Sequence, residues 1–184
     1  HSRFKADLSP HVESMCNIDA RSNLADLIRM AKVIIIDECS MQHRYHTEAL
    51  DRTLRGITCQ DKPFGGKILI LSGDFRQCLP VIPGASRGAI VDAALNRSPL
   101  WATFIVKRLT KNMRILASGK SSLIDFDEWT VRVGDGSVES IGKSEIIEIP
   151  DEMCITIEEN SKEKPEAEKD SMKLLANKVY PNLA

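Results

Sequence analysis

Lys32-Val-Ile-Ile-Ile-Asp-Glu-Cys-Ser-Met41 joins a run of β-branched apolar residues to an abrupt acidic pair, Asp37-Glu38. The apolar run is too short for a helix and has no polar face, which is typical of a strand buried between two layers of helices. We therefore predict a strand over residues 32–36 that is covered on both faces and ends at two carboxylates.

The residues before and after this strand show helical patterns. Ser22 can cap a helix over residues 22–31, where apolar residues recur at 24, 27, 28 and 31. A second helix, roughly from His43 to Arg55, has apolar positions at 49, 50 and 54. Pro63-Phe-Gly-Gly66 then predicts a turn.

Two further apolar runs also end in polar clusters. Lys67 to Ser72 is the next predicted buried strand, and it leads into Gly73-Asp-Phe-Arg-Gln77. After a predicted helix from Arg87 to Leu95, a third strand over Phe104–Leu109 leads into Thr110-Lys-Asn-Met-Arg114. Strands that alternate with helices predict parallel βαβ units, in which ligands bind beyond the carboxyl ends of the strands. We expect all three polar clusters to share one edge of the sheet.

The last third of the chain has weaker patterns. They predict a helix around Leu123 to Val133, a turn at Gly134-Asp-Gly136 and a strand from Glu145 to Ile149. The charged residues from Glu158 to Asp170 contain few apolar side chains and predict a solvated linker.

The composition bears on nucleic-acid binding, on the redox compartment and on membrane insertion. The chain has 184 residues, 42% of them hydrophobic, and a formal net charge of −1, so no basic field argues for nucleic acid by itself. Five scattered cysteines without a C-x-x-C pair favour a reducing compartment, and no apolar run reaches the roughly 20 residues of a membrane span. Because the sequence begins at His1 without a methionine, we expect a piece of a longer protein.

The polar clusters have the chemistry of a nucleotide site. Asp37 can hold the hydrated shell of Mg²⁺ beside phosphates, which leaves Glu38 to orient an attacking water. Asp74 and Gln77, one strand over, can sense a γ-phosphate, and Arg114 can stabilise charge on the transferred group. An acidic pair alone would fit a solvated strand end equally well, so this interpretation depends on the neighbouring clusters.

These clusters resemble a known family. Asp37-Glu-Cys-Ser-Met41, Gly73-Asp-Phe-Arg-Gln77 and Asn112-Met-Arg114 look like motifs II, III and IV of Pif-type DNA helicases, most closely those carried by Helitron transposons. His1-Ser-Arg-Phe-Lys5 resembles the end of motif Ia. Other stretches similar to this family are Glu48–Arg55, Pro63–Lys67, Leu79–Ile82, Ser98–Trp101, Val133–Gly136 and Val179–Leu183.

The resemblance implies a RecA-like P-loop NTPase fold, with a parallel sheet flanked by helices, and an ATP-driven, superfamily-one helicase that moves 5′ to 3′ on single-stranded DNA. It assigns Asp37 and Glu38 to magnesium and water, Gln77 and Arg114 to the γ-phosphate, and His1 and Ser2 to the vicinity of DNA. A nuclear location, with work in DNA repair, recombination, telomere maintenance or Helitron rolling-circle transposition, is expected from the family.

The same resemblance divides the chain. Residues 1–120 are expected to form a partial RecA-like motor domain without the Walker A strand and loop, and residues 121–184 an extension and charged linker toward a second motor domain. No G-x-x-x-x-G-K-[ST] occurs, since Gly136 to Ser144 has five residues between its glycines and continues as a strand pattern. Alternatives are therefore a catalytically inert remnant or partial gene product, and a DNA-binding module that works without ATP.

Two side-chain sets invite other interpretations. Cys39, His43 and His46 could share a helix face and bind a metal, although three such ligands without a fourth are usually incidental. Trp101 and Trp129 could stack on bases, but their apolar neighbours favour packing in a core.

Overall fold

The computed structural model describes residues 3–118, 122–142, 146–154 and 164–181. The chain forms two compact units, His1–Asp135 and Gly136–Ala184, while the predicted division at residue 120 stays a prediction. None of the helices in the described ranges is long and apolar enough to cross a membrane. The elements, in chain order, are α1 (Asn23–Met30), β1 (Val33–Ile36), α2 (Arg44–Thr58), β2 (Ile68–Leu71), α3 (Arg87–Ala93), α4 (Met113–Ser118), α5 (Ser122–Gly134) and α6 (Lys164–Val179).

The strands β1 and β2 pair in parallel, in a register that runs from Val33 opposite Ile68 to Ile36 opposite Leu71. The chain passes from one strand to the other through α2. A parallel pair joined by a helix is the βαβ arrangement that the sequence predicts. Both strands and the first two helices lie within three residues of their predicted bounds.

Helix α2 provides most of the apolar face on which the first unit packs. Leu50, Leu54 and Ile57 recur at helical spacing and are almost completely buried. They meet residues from α1, β1 and the following turn, namely Ala25, Ile28, Ile34 and Phe64. Burying one such large apolar side chain contributes about 1.5–3 kcal/mol, so this cluster holds the unit together.

The turn Pro63–Gly66 is fixed against α2. Asp51 accepts a hydrogen bond from the backbone N–H of the buried Phe64. Gly65 has a φ of 62°, and a Cβ there would lie 2.6 Å from the carbonyl oxygen of Leu54. The turn thus requires glycine at this position, and it sets where β2 begins.

We predicted that the sheet is covered on both faces. Within the described residues, only one face is covered. Ile34 is buried, but its neighbours Val33 and Ile35 are 44% and 67% exposed, and Ile68 and Ile70 of β2 are 60% and 47% exposed. Side chains of a strand alternate between faces, so one face packs on the helices and the other is open to solvent.

The predicted third strand is wrong. Residues 104–109 form no regular element, and Ile105, Val106 and Leu109 are 84%, 54% and 99% exposed. A β-branched run becomes a strand only when it has a neighbour to pair with. In the described part of the chain, no strand lies beside it.

The end of the chain also differs from the prediction. Ile147 forms only an isolated antiparallel bridge with Ser140 instead of a strand, and Glu145 lies outside the described residues. The supposed linker contains the start of α6 at Lys164, while residues 158–163 lie outside the described residues. Glutamate, lysine and alanine favour helices, and Pro165 is tolerated in a first turn, which explains the error.

Candidate nucleotide site

The carboxyl ends of β1 and β2 bring two of the three predicted clusters together. The N–H of Cys39 donates to the carbonyl oxygen of Ser72 at 2.9 Å, so the chain after β1 continues alongside the chain after β2. A second bond joins the two segments slightly farther along, since the N–H of Asp74 donates to the hydroxyl of Ser40 at 3.2 Å. The segment with Asp37-Glu38 and the segment with Asp74 are therefore directly bonded.

Gly73 makes this approach possible. A Cβ at this position would lie 2.9 Å from both the backbone nitrogen and the hydroxyl oxygen of Ser40, and 3.3 Å from the nitrogen of Cys39. Any side chain would push the two segments apart. Sequence analysis singled out neither Ser40 nor Gly73 for this contact, although a glycine directly after a strand is a signal for close backbone approach.

The acidic pair itself is exposed, and its backbone is unusual. One carboxylate oxygen of Asp37 accepts the N–H of Glu38 at 3.0 Å. Glu38 is in the left-handed region with a φ of 53° and a ψ of 39°, which costs a residue with a Cβ about 1–2 kcal/mol. Backbone strain of this kind concentrates at functional sites because the surrounding structure must maintain it.

The donor set fits a magnesium ion that is shared with phosphates. Mg²⁺ keeps several waters and takes one or two protein carboxylates beside a nucleotide. Within the described ranges, no group of three or more histidine, cysteine or acidic side chains could enclose a metal ion. An exposed carboxylate such as that of Asp37 can instead face a hydrated ion.

The proposed cluster of Cys39, His43 and His46 does not form a metal site. Cys39 lies in the short 3-10 turn Cys39–Met41, before α2 begins. His43 caps α2, its Nδ1 accepting the N–H of Tyr45 at 3.1 Å, and the Nε2 of His46 lies 2.9 Å from the carbonyl oxygen of Asp7. The three residues do not share a helix, so the alternative of a metal site on one helix face is not supported.

Cys39 is buried under the acidic pair. Burial raises the pKa of its thiol, and the negative charges of Asp37 and Glu38 raise it further. The thiol stays protonated and fills space as a small apolar side chain.

Asp74 and Gln77 lie in a tight turn after β2. The side chain of Asp74 accepts the N–H of Arg76 at 2.9 Å, and its carbonyl oxygen accepts the N–H of Gln77 at 3.1 Å. Gln77 is exposed at the end of this turn. Phe75 packs edge-on against Trp101 with ring centres 5.8 Å apart.

The two tryptophans have aromatic neighbours. Trp101 also lies 6.1 Å from the ring of Phe104, and Trp129 stacks on Phe126 with ring centres 6.3 Å apart. Both tryptophans are partly buried, but neither belongs to the apolar core cluster of the described residues, so the predicted packing in a core is found only in part.

Arg114 is placed differently from the expectation. It is the second residue of α4, it does not follow a strand, and its side chain is exposed. Asn112 fixes the start of that helix by accepting the N–H of Arg114 at 3.1 Å and donating to Asp127 at 2.7 Å. Among the contacts of the described residues, none joins Arg114 to the acidic pair, so its role stays a prediction. His1 and Ser2 lie outside the described residues.

The chain is similar in sequence to known proteins. A profile of the family described as PIF1-like helicase matches residues 1–144. The ATP-dependent DNA helicase Pif1 of a Psychrobacter species is 36% identical over 74 residues, which is 40% of this chain and 11% of that protein. The ATP-dependent DNA helicase PIF1 of Rattus norvegicus is 30% identical over 151 residues, 72% of this chain and 22% of that protein.

A solved structure gives the same result for the fold. The Bacteroides Pif1 helicase, crystallised with ADP-AlF3 and single-stranded DNA, superposes with a TM-score of 0.61 at 25% identity, covering 76% of this chain and 33% of that one. The matches span from about a tenth to a third of these relatives. They confirm the predicted RecA-like α/β fold, of which these residues form a part. The chain therefore belongs to the PIF1-like helicase family.

Proposed function

We propose that this chain supplies part of the ATP-hydrolysing core of a DNA helicase that moves 5′ to 3′ on single-stranded DNA. One observation carries the proposal: the segment with Asp37-Glu38 and the segment with Asp74 and Gln77 are hydrogen-bonded at the ends of two adjacent parallel strands. Ligands of open parallel sheets bind at this edge. The names of the relatives, ATP-dependent DNA helicases, support the same activity.

The proposed roles follow from the chemistry of each side chain. Asp37 would hold hydrated Mg²⁺, which would supply positive charge beside the phosphates of ATP, and Asp74 would assist from the neighbouring segment, where its N–H is bonded to Ser40. Glu38 accepts a hydrogen bond from the attacking water and orients it. Gln77 donates to the γ-phosphate from the neighbouring strand end. Arg114 supplies positive charge toward the γ-phosphate in this proposal.

Single-stranded DNA is the proposed polymer partner. The Bacteroides relative was crystallised with single-stranded DNA and a nucleotide analogue, and motif Ia of the resembling family includes the positions of His1 and Ser2. The proposed cellular processes are DNA repair, recombination, telomere maintenance or Helitron rolling-circle transposition. A nuclear location is proposed from the family resemblance alone.

ATP hydrolysis in a chain that includes a lysine loop tests the proposal. We would join residues 1–184 to the coding sequence that flanks them and measure DNA-stimulated turnover. Glu38→Gln should lower kcat by about 100-fold or more, because an amide is a poor acceptor for the proton of the attacking water. The matched control is Glu13→Gln, an exposed glutamate remote in sequence from both strand ends. Full turnover by Glu38→Gln contradicts the proposal.

The 184 residues by themselves favour a second candidate, a folded chain that is catalytically inert. They contain no G-x-x-x-x-G-K-[ST] loop, so the triphosphate has neither the lysine nor the ring of backbone N–H groups that hold it. We expect no measurable ATPase activity from this chain alone. Turnover by the isolated chain that Glu38→Gln abolishes would refute this expectation.

A further inference from the structure

The turn Gly73–Gln77, here called the motif III turn, is held at several points along its length. Gly73 and Asp74 rest on Ser40, as described above. Phe75 packs against Trp101. Its fourth residue, Arg76, reaches a part of the chain that is 59 residues away in sequence, at the end of α5.

Arg76 forms a two-point ion pair with Asp135. Its Nε donates to one carboxylate oxygen at 2.6 Å, and its Nη2 donates to the other at 3.4 Å. The hydrogen bonds and the charge of Asp135 raise the pKa of the guanidinium group. Both side chains are about half exposed, so the pair adds little to the free energy of unfolding. Its main effect is to fix the orientation of the Arg76 side chain.

Packing supports this geometry independently of charge. Gly134 ends α5, and a Cβ there would lie 3.0 Å from the Cβ of Arg76 and 3.1 Å from its Cδ. The stem of Arg76 thus lies against the helix end, closer than an ordinary van der Waals contact with an added Cβ would allow. Asp135 is fixed by its own N–H, which donates to the carbonyl oxygen of Val131 at 2.9 Å.

We propose that Arg76 and Asp135 are positioning residues that fix the motif III turn and thereby the direction of Gln77. This inference rests on the proposed function, in which Gln77 donates to the γ-phosphate. Gln77 is exposed and directly follows Arg76, and its N–H is bonded within the turn to Asp74. The orientation of its side chain therefore depends on what holds the turn. Asp135 is also the last residue of the first compact unit, so the pair ties the turn to the point where the chain leaves that unit.

Amide hydrogen exchange of the 184-residue chain, followed by NMR, tests the positioning. Arg76→Ala and Asp135→Ala should each accelerate exchange of the Arg76 and Gln77 amides by up to about fivefold. The double variant should show no more than either single one, and Arg76→Lys, which keeps the charge but loses the fork, should lie between. Unchanged or additive effects would overturn the inference.

A matched control comes from the exposed pair of Arg29 and Asp26, whose atoms are 2.7 Å apart. Asp26→Ala should leave exchange in the motif III turn unchanged. The amide of Ile68, which donates to the carbonyl oxygen of Lys32 beside the sheet, should keep its protection in every variant. Lost protection there would show general unfolding, and the exchange comparison would then use Asp135→Asn, which keeps the size of the side chain.

Turnover in the longer chain separates this inference from the proposed function. Asp135→Ala should lower kcat on the order of tenfold with little change in the KM for ATP, since misdirection of Gln77 affects the transition state. If Glu38→Gln keeps full turnover, the proposed function fails, and if Gln77→Ala alone keeps it, the role proposed for Gln77 fails and the positioning role fails with it. If Gln77→Ala loses turnover while Asp135→Ala keeps it, the proposed function stands and the positioning role is refuted.

Discussion

Replacing Gly73 with alanine is the sharpest test of how the two strand ends meet. The new Cβ would lie 2.9 Å from the backbone nitrogen of Ser40 and 3.3 Å from that of Cys39, and backbone atoms cannot turn aside as a side chain can. Such overpacking costs about 1–3 kcal/mol. Separation of the segments would also break the hydrogen bond from Asp74 to Ser40, a further ~0.5–1.5 kcal/mol. We expect a total loss of about 1.5–4.5 kcal/mol in the free energy of unfolding.

Urea denaturation monitored by tryptophan fluorescence measures this loss, because both tryptophans lie in the first compact unit. Gly56→Ala is the matched control. It lies inside α2, nothing lies within 4 Å of its added Cβ, and the change should stabilise the chain by about 0.5–1 kcal/mol. The two midpoints should thus move in opposite directions. A stabilised Gly56→Ala beside an unchanged Gly73→Ala would refute the close approach at the strand ends.

Two further substitutions test α2. Asp51→Ala leaves the buried N–H of Phe64 without its acceptor and should lower the free energy of unfolding in urea by about 2–3 kcal/mol. The control Asp61→Ala, at a side chain that is 97% exposed, should change it by less than about 0.5 kcal/mol. Equal effects of the two substitutions would contradict the role of Asp51 as the acceptor for Phe64. Burial lowers the pKa of His43, so below pH ~6.5 the unfolded chain binds the proton first and stability falls until the lower folded-state pKa is reached. His43→Asn keeps a capping acceptor but does not titrate, so the free energy of unfolding should fall less steeply with falling pH in this variant. An equally steep fall in the variant would show that His43 is not its cause.

The elements that the sequence predicted correctly depend on local signals. Ser22 caps α1, its hydroxyl accepting the N–H of Ala25 at 3.3 Å. The β-branched run that ends at Asp37 forms β1, which begins one residue later than predicted. A cap and an apolar run are properties of a few neighbouring residues, so they can be read without knowledge of the tertiary structure.

Predictions that required a partner were less successful. Residues 104–109 have the composition of a strand but no strand beside them in the described part of the chain. The exposure of Val33 and Ile35 was missed for the same reason. Apolar residues on both faces of a strand show that both faces are suited to packing, but they do not show that another element packs there. Strand pairing and sheet coverage are long-range properties, which a local pattern cannot establish.

The same distinction applies to the candidate site. The approach of the segments that follow β1 and β2 was predictable, because adjacent parallel strands in register end at the same edge. The position of Arg114 depended on a third strand that the chain does not form. The ion pair of Arg76 with Asp135 joins residues 59 positions apart and had no signal in a single sequence.

Backbone geometry, more than any side chain, determines the shape of this site. Glu38 takes a left-handed conformation, and Gly73 comes so close to Ser40 that no Cβ fits between them. The buried Cys39 between these residues only fills space and keeps its N–H on Ser72. A substitution that preserves volume at Cys39 should therefore leave the site intact, whereas one added methyl group at Gly73 should disrupt it. The difference lies in what each residue contacts, because Cys39 can be matched by another small side chain whereas a Cβ at Gly73 would meet the backbone of Ser40.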